Sequence, residues 1–266
     1  MGLLRCFSSL GCPEMGLEEA CALAAKYGLP TIELRSLGST VDLAGYFAGA
    51  FGTPEKLASW LQGQSVRVVA LNASLKLVGA TEADKAQLVG LAPWAEAMGV
   101  RWLRVFDGGK TMDAAEIAQA RATLDWWQGM RKQHGWRCEV MIETHDSLFT
   151  AEALQRFLSA LPEATVLWDA HHTWRKGGED PLLTWLAVRG RVAHVHVKDS
   201  VPVPSARHPF TYVLPGDGGF PVGPLLATLD REGFSGPVSL EWEKLWHPYL
   251  PSLGEALRVA RDRSWW

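Results

Sequence analysis

Residues 166–200 read VLWDAHHTWRKGGEDPLLTWLAVRGRVAHVHVKDS, and the two ends of this stretch decide the fold. VLWDAHH (166–172) and VAHVHVKDS (192–200) are short apolar runs that break into Asp and His where a buried strand should end. Between them, GEDPLLTWLAVRG has the composition of a helix, so the whole reads as strand, helix, strand. Two runs of the same kind flank it: CEVMIETH (138–145), ending at Glu143 and His145, and GPVSLEWE (236–243), ending at Glu241 and Glu243.

Working outward, the same alternation fills the chain. LLRCFSSL, TIELRS, VRVVALNASL and VRWLRVFDGG read as the first four strands. GLEEACALAAKYG, the pair DLAGYFAGA and TPEKLASWLQGQ, TEADKAQLVGLAPWAEAMG and MDAAEIAQARATLDWWQGMRKQHG supply the helices between them. Thr81 with acidic residues behind it, Pro54 in a first turn and glycine stops mark helix ends. TAEALQRFLSALPE, PVGPLLATLDREG and SLGEALRVARDR complete eight strand–helix units. Parallel neighbours need helical crossovers, and eight units in 266 residues is the count of a closed barrel. The expected fold is therefore α/β, a single (β/α)8 TIM barrel over residues 1–266 with its site at the C-terminal strand ends. A doubly wound open sheet is the competitor, but no glycine-rich phosphate loop follows the first strand.

Composition narrows the function. With 47% hydrophobic residues the chain can bury a large core, and a net charge of −3 gives no footprint for a polyanion. Nucleic acid and anionic membrane are thus not expected partners. No apolar run approaches the ~18 residues of a membrane span, and no basic start leads into a cleavable apolar segment. Cys6, Cys12, Cys21 and Cys138 form no CxxC pair, which suggests reduced core thiols. A soluble, cytoplasmic protein is the expectation. HPYLP (247–251) is a candidate subunit contact, which would make the protein a homo-oligomer.

Side chains alternate along a strand, so His194, His196 and Lys198 share one face of the seventh strand. Met141, Glu143 and His145 share a face on the fifth, as do Ser239, Glu241 and Glu243 on the eighth. Two glutamates, an aspartate and a histidine converging on one axis repel one another unless a cation sits between them. Glu143, Asp169, His196 and Glu241 are accordingly the candidate ligands of one divalent ion, Mn2+, Mg2+, Co2+ or Zn2+. Each could instead be a buried polar group satisfied by a neighbouring arginine or backbone group.

ExH on the fifth strand, DxxH on the sixth, HxHxKD on the seventh, SLEWE on the eighth and the PGDGGFPVGPLLATLDREGFSGPVSLE run resemble the xylose isomerase-like TIM-barrel superfamily, in its sugar phosphate isomerase/epimerase branch. TIELR extends the resemblance to the second strand. It implies that Glu143, Asp169, His196 and Glu241 hold the metal, that His172 contacts substrate, and that Glu143 and Glu241 carry protons on opposite faces of a small sugar-like molecule. The expected activity is a metal-dependent isomerase or epimerase of a small sugar, sugar phosphate or related polyol or keto compound, through proton abstraction beside a metal-bound carbonyl and an enediolate. Dehydration of a cyclic polyol or keto acid shares that first step and is the alternative. DSLFT after the fifth strand, and DSVPVPSARHP after the seventh, depart from the ketose 3-epimerase pattern.

Lys198 is a candidate to steady an enolate, carboxylate or phosphate, with a salt bridge at the mouth as the plain alternative. His145 and His194 could orient ligands or simply pack. Glu33 and Arg35 could bind substrate hydroxyls or each other. Trp174, like Trp242 and Trp246, could cover an apolar sugar face or belong to the packing layer. An apurinic-site endonuclease would need extra histidines where the third and fourth strands carry Asn72 and Asp107, and a barrel that binds a sugar without turning it over is the non-enzymatic rival.

Overall fold

The computed structural model describes residues 2–265; Met1 and Trp266, the ends of the expected domain, lie outside the described residues. Eight parallel strands form one sheet: β1 (Leu4–Phe7), β2 (Thr31–Leu34), β3 (Arg67–Val78), β4 (Trp102–Gly108), β5 (Glu139–Glu143), β6 (Val166–Asp169), β7 (Val192–Val197) and β10 (Pro237–Leu240). Its two edges, β1 and β2, are joined by a parallel bridge between Ser8 and Glu33, so the sheet curls into the expected barrel. Helices α1 (Leu17–Lys26), α2 (Leu43–Phe51), α3 (Pro54–Gln62), α4 (Glu82–Met98), α5 (Ala114–His134), α6 (Ala151–Ala160), α8 (Pro181–Val188), α9 (Val222–Arg231) and α10 (Leu253–Asp262) supply the crossovers. Among the described residues no helix is long and apolar enough to cross a membrane.

Local chemistry explains where the helices begin. Thr53, Thr81, Thr150 and Ser252 each accept a backbone N–H of the first turn of their helix, which removes one of the unpaired donors at that end. Two features are absent from the simple alternation. The run DAHH does not continue the sixth strand: Asp169 ends β6 and caps a short helix, α7 (Ala170–Arg175), by accepting from the His172 N–H at 2.8 Å. After β7 the chain folds an antiparallel hairpin, β8 (Asp199–Val201) with β9 (Thr211–Val213), before reaching α9. Pro and Ser at 202–205 hide its pattern in the sequence.

Strand register sets which side chains meet at the barrel axis. Asp169 pairs with His196 across β6 and β7, and His196 with Ser239 across β7 and β10. Ala70, Met141 and Leu167 make a buried apolar floor inside the barrel. Met141 lies two residues before Glu143, so strand alternation stacks the carboxylate above that floor. Close backbone approach fixes the strand entries: a Cβ on Gly236, just before β10, would lie 2.2 Å from the Ala193 carbonyl oxygen.

Asp107, at the end of β4, organises the loop after β5. Its carboxylate is fully buried and accepts from the backbone N–H groups of Asp146, Ser147 and Leu148 at 2.7–2.8 Å. Replacing it with alanine strands those donors in the interior. Asp107→Ala should lower stability by about 2–4 kcal/mol, read as a shift of the urea midpoint with unchanged slope, while a surface change such as Glu152→Ala leaves the midpoint in place.

Candidate metal centre and active site

Glu143 from β5, Asp169 from β6, His196 from β7 and Glu241 just past β10 are all buried, and each offers a ligand atom within 4.8 Å of the others. His196 Nδ1 lies 3.3 Å from Glu241 Oε1 and 3.9 Å from Glu143 Oε1, without hydrogen-bond geometry to either. Glu143 Oε2 and Asp169 Oδ2 likewise have charged neighbours but no hydrogen bond. Buried polar atoms are normally hydrogen-bonded, so His196 Nδ1 marks a place that lacks a partner, while the two carboxylate oxygens are held by ion pairs alone. An imidazole nitrogen and three carboxylates suit a divalent ion, and the residues present therefore fit one.

The field at this point favours positive charge. Burial opposes protonation of His196, yet Glu241 and Glu33 outweigh it and draw His196 well above its usual value. Glu33 sits below the quartet, fully buried, and accepts from His196 Nε2 at 2.9 Å and from Ser239 Oγ at 2.6 Å. Asn72 Nδ2 donates to its other oxygen, and His194 Nε2 is 3.0 Å away. A carboxylate can only accept, so His196 keeps a hydrogen on Nε2, and Nδ1 is the nitrogen that would give up its proton to offer a lone pair to an ion in the quartet. Glu33 and His194 thus belong to the support beneath the site. Glu33 pairs with histidines, not with Arg35.

Lys198 is buried among carboxylates: its ammonium is 2.7 Å from Asp169 Oδ2 and 2.6 Å from Glu243 Oε1, and it donates to Glu241 Oε2. Burial works against its charge, but these acids hold it well above the ordinary lysine value. Glu241, despite burial, is held well below the carboxylate range by His196 and Lys198. Glu143 is pushed up by burial in spite of Arg104, whose Nε is 3.1 Å away. The two expected proton carriers therefore lean in opposite directions.

His172 Nδ1 lies 3.1 Å from the Thr144 carbonyl oxygen, an acceptor, so its Nε2 carries the free lone pair. Burial, with Lys176 and Lys198, keeps it well below its usual value and hence neutral. His145 is at the rim, bonded to Asp146 at 2.8 Å and against the Phe106 ring at 4.6 Å. Arg35 stands beside the same ring at 6.0 Å. Trp174 instead packs on His171 and Phe220, each 5.5 Å between ring centres, in the layer behind the site. Of the side chains that frame the mouth, the sequence reading passed over Arg104 as a site residue, although a lone arginine inside an apolar strand was a signal. It also left Glu243 unassigned and missed Tyr212, buried at 5.6 Å from Lys198, which arrives on the unforeseen hairpin.

Two other acidic clusters are already satisfied. Glu33 pairs with both His196 and His194, and His194 also bonds Ser239, while Asp107 is filled by backbone donors and Asp146 bridges His145 and Lys76. Because Glu33 fixes the His196 tautomer, Glu33→Gln should weaken metal affinity by about 10–100-fold with the fold retained, measured by competition for Mn2+ against a coloured chelator.

Comparison with known proteins agrees with the barrel. Inosose dehydratase of Klebsiella pneumoniae is 31% identical over 110 residues, 36% of this chain and 37% of that protein, so the match spans little more than a third of the relative. The probable 3-DHS dehydratase AsbF of Bacillus anthracis superposes with a TM-score of 0.74 at 16% identity, over 99% of this chain and 100% of its own. The IOLI protein, solved with a zinc atom, gives 0.75 at 18% identity over 98% and 96%. These two likenesses concern the fold alone. In sequence, the description xylose isomerase-like TIM barrel matches residues 21–263, which take in every barrel strand after the first. On that match and the closed eight-stranded sheet, this chain belongs to the xylose isomerase-like TIM-barrel family.

Proposed function

We propose that the chain is a divalent-metal-dependent dehydratase of a small cyclic hydroxyketone or related keto acid. The observation that carries this is the buried quartet of Glu143, Asp169, His196 and Glu241, with its unpartnered His196 nitrogen and two glutamates of opposite bias. A bound ion would supply electrostatic stabilisation for negative charge developing on a substrate carbonyl oxygen. Glu241, held ionised, is the group to accept the proton from the carbon beside that carbonyl. Glu143, whose charge burial disfavours, is the one to carry a proton in the opposite sense. In dehydration the electron pair of the broken C–H bond becomes a C=C bond, the β C–O bond breaks, and the hydroxyl leaves as water.

The leaving hydroxyl is where dehydration differs from epimerisation, because negative charge develops on a second oxygen. Lys198 supplies a fixed ammonium in direct contact with Asp169 and Glu241, placed to stabilise that charge. The partial likeness to inosose dehydratase supports the same choice. Isomerisation or epimerisation is the second reading. What favours it is the placement of Glu143 and Glu241 near the same His196 nitrogen from two different strands, as a proton relay between substrate faces requires.

Two outcomes are expected. Mn2+-equilibrated protein given a panel of cyclic hydroxyketones and cyclic hydroxyketo acids in deuterated water should yield, from one of them, a product lighter by one water; an isomer of unchanged formula carrying one deuterium would favour the second reading, and no change with the whole panel would overturn both. Glu143→Gln and Glu241→Gln should each lower kcat by about 10²–10⁴-fold, with Asp169→Ala losing the bound ion by elemental analysis.

A further inference from the structure

Most cations around the mouth are matched by a carboxylate. Arg104 faces Glu143, and Lys198 faces Asp169, Glu241 and Glu243. Arg175 is turned into the packing layer, over the ring of Trp174 at 4.5 Å. Arg35 is different. Its side chain is 5% exposed, and among the described residues no carboxylate lies within 4 Å of it. Its Nη2 donates to Ser74 Oγ at 3.0 Å and its Nη1 to the Asn72 carbonyl oxygen at 3.4 Å, both neutral groups. Burial, with Arg104 nearby, pushes its pKa down to about 9, although Glu143 and Glu241 act on it from a distance in the opposite direction.

Lys176, on the opposite wall after α7, repeats the pattern. Its ammonium donates to the His145 carbonyl oxygen at 3.0 Å and has no carboxylate within 4 Å among the described residues. A buried charge left unpaired is costly; Arg35 is such a charge, and the half-buried Lys176 adds a second cation at the same mouth, so the pair calls for an anion from outside.

One of the loops where TIM barrels often hold phosphate, the one after the seventh barrel strand, is closed to it here. Gly216, Gly218 and Phe220 donate their backbone N–H groups to the buried Asp199 carboxylate. Asp217 donates to Leu214 and Gly219 to Ser200. The glycine-rich turn already holds an internal anion, and each of its amides is taken.

We infer that the substrate is an unphosphorylated carboxylate, whose carboxylate group is bound at the mouth by Arg35 with Lys176 adding to the field. A planar fork with free N–H groups suits a carboxylate edge. This rests on reading the quartet as a substrate site, and it narrows the proposed substrates to hydroxy or keto acids over neutral polyols such as inososes.

The test reads binding, so it can fail while dehydration succeeds, and the reverse. Quinate, a cyclic polyol carboxylate, and its methyl ester are titrated calorimetrically into Mn2+-equilibrated protein. Quinate should bind at least about tenfold more tightly than the ester, the order expected of one charge-assisted hydrogen-bonded contact. Arg35→Met should remove that preference while leaving Mn2+ affinity unchanged, and Lys176→Met should reduce it, which keeps the inference testable if the Arg35 variant does not fold. Equal affinity for acid and ester, no binding of either, a preference that survives both variants, or displacement of quinate by inorganic phosphate at equal concentration would each overturn the inference.

Discussion

Mutual repulsion among buried carboxylates is the constraint on which the barrel mouth depends. Glu33, Glu143, Asp169 and Glu241 are all buried inside one ring of strands. At interior separations of a few ångströms, like charges cost several kcal/mol even with an effective dielectric near 20. The fold meets this by interleaving cations: histidines with Glu33, Arg104 with Glu143, and Lys198 between Asp169 and Glu241. The stack is ordered along the axis, from the apolar floor of Ala70, Met141 and Leu167, through Glu33 and its histidines, to the quartet.

That stacking makes the histidine the hinge of the arrangement. One ring nitrogen of His196 is committed downward to Glu33, and the other is left facing the quartet with no hydrogen bond. Support from below thereby decides chemistry above, as outer-shell carboxylates do for ligating histidines generally. Asp107 and Asp199 do the corresponding work for the loops. Each spends a buried carboxylate on several backbone N–H groups, Asp107 for the loop after β5 and Asp199 for the glycine-rich turn.

Much of this could be read from the sequence because strand periodicity is two. Inward and outward positions follow from counting, so Glu143, Asp169, His196 and Glu241 were legible as one set before any distance was known, and the eight-unit rhythm placed them at one end. Counting gives the face but not the depth. Glu33 reads in sequence as a partner of substrate or of Arg35, yet only the register of β2 shows that it lies beneath His196 and not at the mouth with Arg35. The hairpin of β8 and β9 was illegible because its strands are three residues each and the connection is rich in Pro and Ser. With it went Tyr212 and the cover over Lys198. Helix α7 was hidden for another reason: an aspartate at a strand end reads equally well as a ligand and as a cap, and Asp169 serves as a cap while also joining the quartet.

Lys198 and a divalent ion draw on the same oxygens, and that overlap shapes the site. Asp169 and Glu241 each offer one oxygen to the ammonium, and both belong to the quartet. Their second oxygens are engaged elsewhere, Asp169 Oδ1 by the His172 N–H and Glu241 Oε1 towards His196. A cation held by the quartet would weaken the pull on Lys198, which would keep Glu243 as its remaining carboxylate at 2.6 Å. Glu243 in this way holds the ammonium at the mouth when its other partners are shared. On the proposed dehydration the lysine would stay charged and placed for a departing oxygen, the property that would separate a site able to expel a hydroxyl from one able only to move a proton.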